Sequence, residues 1–278
     1  MICLYYCRQG DNIELKYSLR SLEEFLNLPV VIVGGKPDWC NPDFFLPHRT
    51  NFGKCMDARA HIANGLSWVA SNADKVITNA RNKQAKAEEL RKSQNIKSHS
   101  TRILSSYKDL LSAGADEASD FGIEPDDDIC IMMDDVYLAA PFWKNHSKGT
   151  LRDCWKLSVQ KHGKTAYNEI LRNTLEFLEQ QGITDPINYD AHTPFFCNRK
   201  KVQEAFRLMG KTKKQIAFRS VYGNLYKTKH VPARDIKFRA NDKVKLYSVM
   251  SSTDLELQNV LPILQRRYPN ASRHELTN

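Results

Sequence analysis

The sequence predicts an α/β fold, a Rossmann-type, mostly parallel sheet flanked by helices, on three observations. An apolar run, Met1-Ile2-Cys3-Leu4-Tyr5-Tyr6, opens the chain and reads as a strand. Leu15, Leu19, Leu22 and Leu26 then recur at helical spacing, and Pro29-Val30-Val31-Ile32-Val33 reads as a fully buried strand. Strand, helix and strand with short connections form the β-α-β unit that builds parallel sheets. The third observation is Ile129-Cys130-Ile131-Met132-Met133, a central strand that hands the chain to Asp134-Asp135. Open α/β sheets bind ligands at that end of their strands.

The elements follow in order. Arg8-Gln9-Gly10-Asp11-Asn12 is a turn-rich loop, with Asp11 predicted as N-cap and Glu14 completing a capping-box-like start. Gly34-Gly35-Lys36-Pro37 ends the second strand. Residues 40 to 56 show little periodicity and suit an ordered loop over the site that brings His48, Arg49 and Lys54. From Met56 to about Leu111 the pattern is helical without proline, predicting two or three helices. Their basic middle part, 72–120, reads as an insertion within a single domain spanning 1–278. An acidic loop, Asp120 to Asp128, leads into the Asp134-Asp135 strand. Further helices are expected from about Tyr167 to Gln181, stopped at Gly182, from Lys200 to Met209, and from Leu255 to Arg267.

Composition bounds the function. The 278 residues are 41% hydrophobic and 10% aromatic, enough for a sizeable core. Mean hydropathy is -0.53 and no apolar run nears the roughly 18 residues of a membrane span, so no membrane partner is expected. The N-terminus lacks the basic start of a signal peptide. Seven cysteines without a C-x-x-C pair argue against a zinc knuckle or disulfide framework, and predict a reducing, cytoplasmic setting. The net charge of +9 suits a polyanionic partner or anionic substrate. Between Lys75 and Lys108 stand nine Lys or Arg against Glu88 and Glu89. Such a run is either a solvated helical face or a grip on a phosphate backbone, carried by Arg81, Lys83, Lys86, Arg91, Lys92, Lys97 and Arg102.

Paired carboxylates at a strand end cost several kcal/mol if desolvated without a counter-charge. Asp134-Asp135 therefore either meets a divalent cation carrying a phosphorylated substrate, or serves as a cap or partner of nearby Lys and Arg. Asn12-x-Glu14-Leu15-Lys16-Tyr17-Ser18-Leu19-Arg20-Ser21-Leu22-Glu23, Ile32-Val33-Gly34-Gly35-Lys36-Pro37 and Met133-Asp134-Asp135-Val136-Tyr137-Leu138 resemble, in order and spacing, blocks of the bacteriophage and Stealth-like branch of GT-A-fold glycosyltransferases. Tyr189-Asp190-Ala191-His192-Thr193-Pro194, Arg219 to Asn224, Asp235-Ile236-Lys237, Ser251 to Asp254 and Tyr268 to Glu275 extend the resemblance over nearly the whole chain. The basic stretch is longer than that pattern.

The resemblance implies a metal-dependent transferase using a nucleotide sugar, a UDP-sugar foremost, with Mn or Mg. It makes Asp135 the metal ligand and Asp134 a ribose or supporting contact. Asp190 and His192 are candidates for the acceptor-side base, and His192 also for a second metal ligand. Arg8, Asp11, Asn12, Gly34 and Lys54 are expected around the donor. Arg20 either turns to the diphosphate or holds the loop, and Lys237 and Ser252 approach from the C-terminal side. His230 is a weaker rival to His192. Phage members suggest a hydroxymethyl pyrimidine in DNA as acceptor, which the positive charge suits, with Trp39, Phe44, Phe45, Phe52 and Trp68 as candidate stacking groups or core residues. That setting is the host cytoplasm. Transfer of a sugar or sugar phosphate to a glycan, and a non-enzymatic virion or scaffold role, are the alternatives.

Overall fold

A computed structural model describes residues 1–7, 10–48, 55–93, 126–138, 145–190, 194–212, 214–232, 246–248 and 254–276. Its centre is a five-stranded sheet of β1 (Ile2–Cys7), β2 (Val30–Gly34), β3 (Phe44–Pro47), β4 (Ile129–Met133) and β7 (Phe195–Cys197), ordered β3-β2-β1-β4-β7. The first four strands are parallel, and β7 is antiparallel to β4. The chain steps from β1 outward to β3, then returns to place β4 on the other side of β1. The strand order thus reverses between β1 and β4, where such sheets leave a crevice at their carboxyl ends. Two small pairs complete the strands: β5 (Val136–Leu138) with β9 (Leu246–Ser248), and β6 (His146–Ser147) with β8 (Val231–Pro232).

Alternation along the strands builds two cores. Cys3, Tyr5 and Cys7 of β1 meet Leu15, Leu19, Leu22 and Leu26 from α1 (Ile13–Phe25) and its C-cap on one face. Ile2 and Leu4 point to the other face, against α2 (Cys55–Ser93), α4 (Ala166–Gln180), α5 (Arg199–Met209) and α6 (Phe218–Leu225). All five residues of β2 are buried, as the β-branched run requires of a strand covered on both faces. On α2, Gly65 lets the helix approach the sheet closely, since a Cβ there would lie 2.6 Å from Leu4 Cδ1 and 2.9 Å from Val33 Cγ2. Two further helices, α3 (Leu151–His162) and α7 (Asp254–Arg267), complete the described elements. No helix among the described residues is long and apolar enough to cross a membrane.

The expected loop over residues 40 to 56 needs correction at one place. Residues 44–47 form an edge strand in register with β2, where the sequence reads as loop; the strand is short and closes on Pro47. The described part of the helical stretch is one helix of 39 residues, roughly 58 Å long; the rest of the stretch in which two or three helices are expected lies outside the described residues. Its Val76 is buried in the cluster that holds Val31 and Val33 of β2. Residues 94–125 lie outside the described set.

The segment from Tyr268 to Leu276 straps the first β-α-β unit. Arg273 reaches Asn27 Oδ1, the Leu28 carbonyl at 3.0 Å and Asp43 Oδ2 at 3.3 Å, with both charged side chains buried. Asp43 in turn accepts the Val30 amide at 2.8 Å, fixing the start of β2. Arg20 makes a two-pronged pair with Glu275, at 2.6 and 2.7 Å, and donates to the Tyr268 carbonyl at 2.8 Å. Arg20 thus holds the strap; its guanidinium is not turned to the sheet edge. Lys83 is likewise spent inside the fold, donating to the Asn41 carbonyl at 2.8 Å and to that of Pro42. It is a tether between α2 and the β3 lead-in, not a free phosphate contact.

Burial tends to raise the pKa of Glu275, but hydrogen bonds from Arg20 and the Ser272 amide, with the charges of Arg20 and Lys16, leave it below the usual glutamate value. A depressed carboxylate contributes stability above its unfolded pKa of about 4.3, lost as pH falls through the folded value. Glu275→Gln should therefore be less stable than the parent at pH 7 in urea titration, and the gap should close towards pH 3. Gly65→Ala should cost about 1–3 kcal/mol at neutral pH by the same measurement.

Candidate functional site

At the carboxyl ends of β1 and β4, the Asn12 side chain joins the loop after β1 to the turn after β4. Asn12, not Asp11, caps α1: its Oδ1 accepts the Leu15 amide at 3.1 Å, and its Nδ2 donates to Asp134 Oδ2. The expected cap, Asp11, is exposed and accepts the Trp39 indole N–H at 3.0 Å. Capping therefore orients the Asn12 amide so that its second half spans to the acidic turn.

Asp134 and Asp135 form the two-residue turn between β4 and β5, and both are buried at 5% exposure. Helix α1 brackets that turn. Ser18 Oγ donates to the Val136 carbonyl at 2.6 Å and meets the Tyr5 hydroxyl at 3.0 Å, while Ser21 Oγ accepts the Leu138 amide at 3.0 Å. A buried hydroxyl inside a helix is neutral at best for helix stability, so these two serines have their value in holding the turn.

The charges converge on Tyr6, the partner of Met133 across β1 and β4. Arg219, buried in the first turn of α6, donates to the Tyr6 hydroxyl at 3.4 Å and lies 6.0 Å from the centre of the Phe195 ring. Burial raises the Tyr6 phenol pKa, Arg219 works against the rise, and Asp135, Asp190 and Asp134 add to it in that order. One hydroxyl thus senses three carboxylates and a guanidinium.

Asp190 is delivered by a strap before β7. Its amide donates to Asn188 Oδ1 at 2.9 Å. Helix α6 fixes the strap: Ser220 Oγ accepts the Tyr189 amide at 3.1 Å, and Asn224 brackets Ile187 through its amide and carbonyl, both at 2.8 Å. Gly223 leaves room for the Tyr189 ring, which a Cβ would approach to 2.5 Å. Tyr167, at the start of α4, hydrogen-bonds Asp190; burial first, then the Asp190 charge, raises its phenol pKa.

Of the residues expected in the site, Asn12, Asp134, Asp135 and Asp190 come together. Gly34 stands on the same sheet edge, paired with Cys7 at a φ of 112°. Arg8, Lys54, His192, Lys237 and Ser252, with Lys97 and Arg102, lie outside the described residues, as does the Arg91 side chain. Arg81, Lys86 and Lys92 are exposed on α2. His230 meets Ser147 Oγ at 2.8 Å and stands edge-on to Tyr189, with burial lowering its pKa. Sequence reasoning gave no role to Tyr6, Tyr167 or Arg219. Arg219 does stand in a block carrying the resemblance, the one signal that could have found it.

Among the described residues no group of three His, Cys, Asp or Glu side chains is arranged to hold a metal ion. The two adjacent aspartates are hard oxygen donors of the kind that suits Mg or Mn, which bind one or two carboxylates and complete their octahedra with water and phosphate oxygens. No protein-family model and no curated protein matches the chain.

Gly223→Ala should displace the Tyr189 ring and cost about 1–3 kcal/mol in urea titration, the usual range for overpacking. Gly149→Ala serves as comparison, since its site at φ 103° is strained but open.

Proposed function

We propose that the chain is a GT-A-like glycosyltransferase of the bacteriophage and Stealth-like kind, moving a sugar from a nucleotide sugar to the hydroxyl of a hydroxymethyl pyrimidine in DNA. The observation that carries the reading is the buried Asp134-Asp135 turn at the reversal of strand order, tied to the α1 cap by Asn12. Asp135, with Asp134 beside it, would hold a divalent Mn or Mg ion, which neutralises a diphosphate and favours its departure. The remaining work falls to the chain's own groups. Asn12 and Asp134 face the ribose side of the donor. Asp190, half-buried and oriented by Tyr167, accepts the proton of the acceptor hydroxyl, with His192 as its neighbour in sequence. Arg219 is the fixed cation that meets the donor's diphosphate.

A glycan acceptor is the second reading, favoured by Lys83, which the fold uses internally. Thermal shift against UDP-, GDP- and ADP-sugars, with and without Mn²⁺, tests the donor. A metal-dependent shift with one nucleotide, lost in Asp135→Asn, is expected; no shift with any donor would sink the proposal. Mass measurement after incubation with hydroxymethylated duplex, ordinary duplex and oligosaccharide then separates the acceptors.

Arg219 gives a test by sign. Arg219→Met removes a cation beside carboxylates, so calorimetry should find tighter Mn²⁺ binding and at least 10-fold weaker pyrophosphate binding, partly recovered in Arg219→Lys. Equal losses for both probes would make the residue structural.

A further inference from the structure

We propose that the solvent face of α3, with the turn before it, docks the phosphate backbone of the DNA acceptor; the inference rests on the acceptor reading above. From Lys148 to Lys164 the chain carries Lys148, Arg152, Lys156, Lys161 and Lys164 against the single acid Asp153. Arg152 pairs with Glu179 on α4. The four lysines are exposed, and no described residue pairs with their ammonium groups. Unneutralised lysines at this density suit a polyanion, because each phosphate they meet releases condensed counterions.

The face is also apolar at its middle. Leu151 is buried and Trp155 packs on the core, which turns Lys156, Leu157, Gln160 and Lys161 outward. Leu157 is 65% exposed, the most exposed of the four large hydrophobic residues so placed among those described. A leucine flanked by lysines can lie on deoxyribose while the ammonium groups reach the phosphates on either side. The 12 residues of α3 extend about 18 Å, the length of roughly five phosphates of one strand.

Placement ties this face to the site. The turn before α3 is laced to the Asp190 strap: the Lys148 amide donates to Asn188 O at 2.8 Å, Asn188 N to Gly149 O at 2.8 Å, and Leu151 N to Pro186 O at 2.7 Å. Asp190 follows two residues after Asn188. The Asp190 carboxylate is further joined to Tyr167 at the start of α4, which packs beside α3. A backbone lying along α3 therefore meets the site at its Asp190 end. The basic part of α2 is anchored elsewhere, with Lys83 tied to Asn41 and Pro42 at the β3 edge, opposite β7.

The test is fluorescence anisotropy with a labelled 20-base-pair duplex between 50 and 200 mM salt. Replacing Lys148, Lys156, Lys161 and Lys164 by Gln should weaken binding at least 30-fold at 50 mM, and lower the slope of log Kd against log salt by about 3 to 4. Lys86→Gln with Lys92→Gln should leave the slope within about one. If the fourfold variant fails to fold, Lys156→Glu with Lys161→Glu replaces it, both being on the exposed face. The inference is overturned if the α3 variants keep the parental slope, if the α2 pair carries the loss, or if the parent binds heparin or phosphatidylserine vesicles but not duplex. Nucleotide-sugar stabilisation measured on the same variants should be unchanged. Its absence from the parent would count against the donor reading and leave the DNA result standing.

Discussion

The carboxamide of Asn12 is the point on which the site turns. It has one oxygen and one NH₂ group, and the fold uses the first to start α1 and the second to hold Asp134. Helix and acidic turn belong to chain segments 122 residues apart, yet they share a single planar group. Moving the helix start moves the carboxylate. Ser18 and Ser21, three residues apart further along the same helix, hold the far side of the turn by its backbone. Position along α1 thus becomes position of Asp134 and Asp135, and both acids can be buried without losing their orientation.

Helix α6 performs the matching task from the other side. Its eight residues send Arg219 towards Tyr6 while Ser220, Gly223 and Asn224 face the strap that carries Asp190. Consecutive residues therefore address the strand edge and the strap. The guanidinium stands over Phe195 and against a phenol whose surroundings hold three carboxylates, so attraction between them is strengthened by the apolar ring and by the burial of Arg219, Asp134 and Asp135. Tyr6 is the shared reference for both halves.

What the sequence disclosed follows from the range of the forces involved. Strands β1, β2 and β4 and helix α1 are written in local periodicity, and they appear where expected. Asp134-Asp135 could be placed at a strand end because an apolar run precedes it. Edge strand β3 and antiparallel β7 were not legible, since three or four residues give too short a pattern and their pairing is set by distant partners. The capping assignment missed by one residue because Asp11 and Asn12 are both good caps, and Asp134, in the distant turn after β4, is met by Asn12. Arg20 and Lys83 show the same limit: their partners Glu275, Asn41 and Pro42 lie far along the chain, and no local rule tells a tether from a ligand contact. Tyr6 and Arg219 are separated by 213 positions and meet only once the sheet forms.

The strap has a bearing on how the molecule is made. Arg20 lies in the first helix, and Glu275, which meets it, is translated 255 residues later. At cellular rates of about 5–20 residues per second, the nascent helix waits roughly 13–51 s for that partner. Asp43 waits almost as long for Arg273, with its carboxylate positioned to be enclosed. During that interval the leading β-α-β unit has its own strands and leucines but lacks the contacts of Arg273 and Glu275, so vectorial synthesis delivers a unit whose consolidation waits for a segment made more than two hundred residues later.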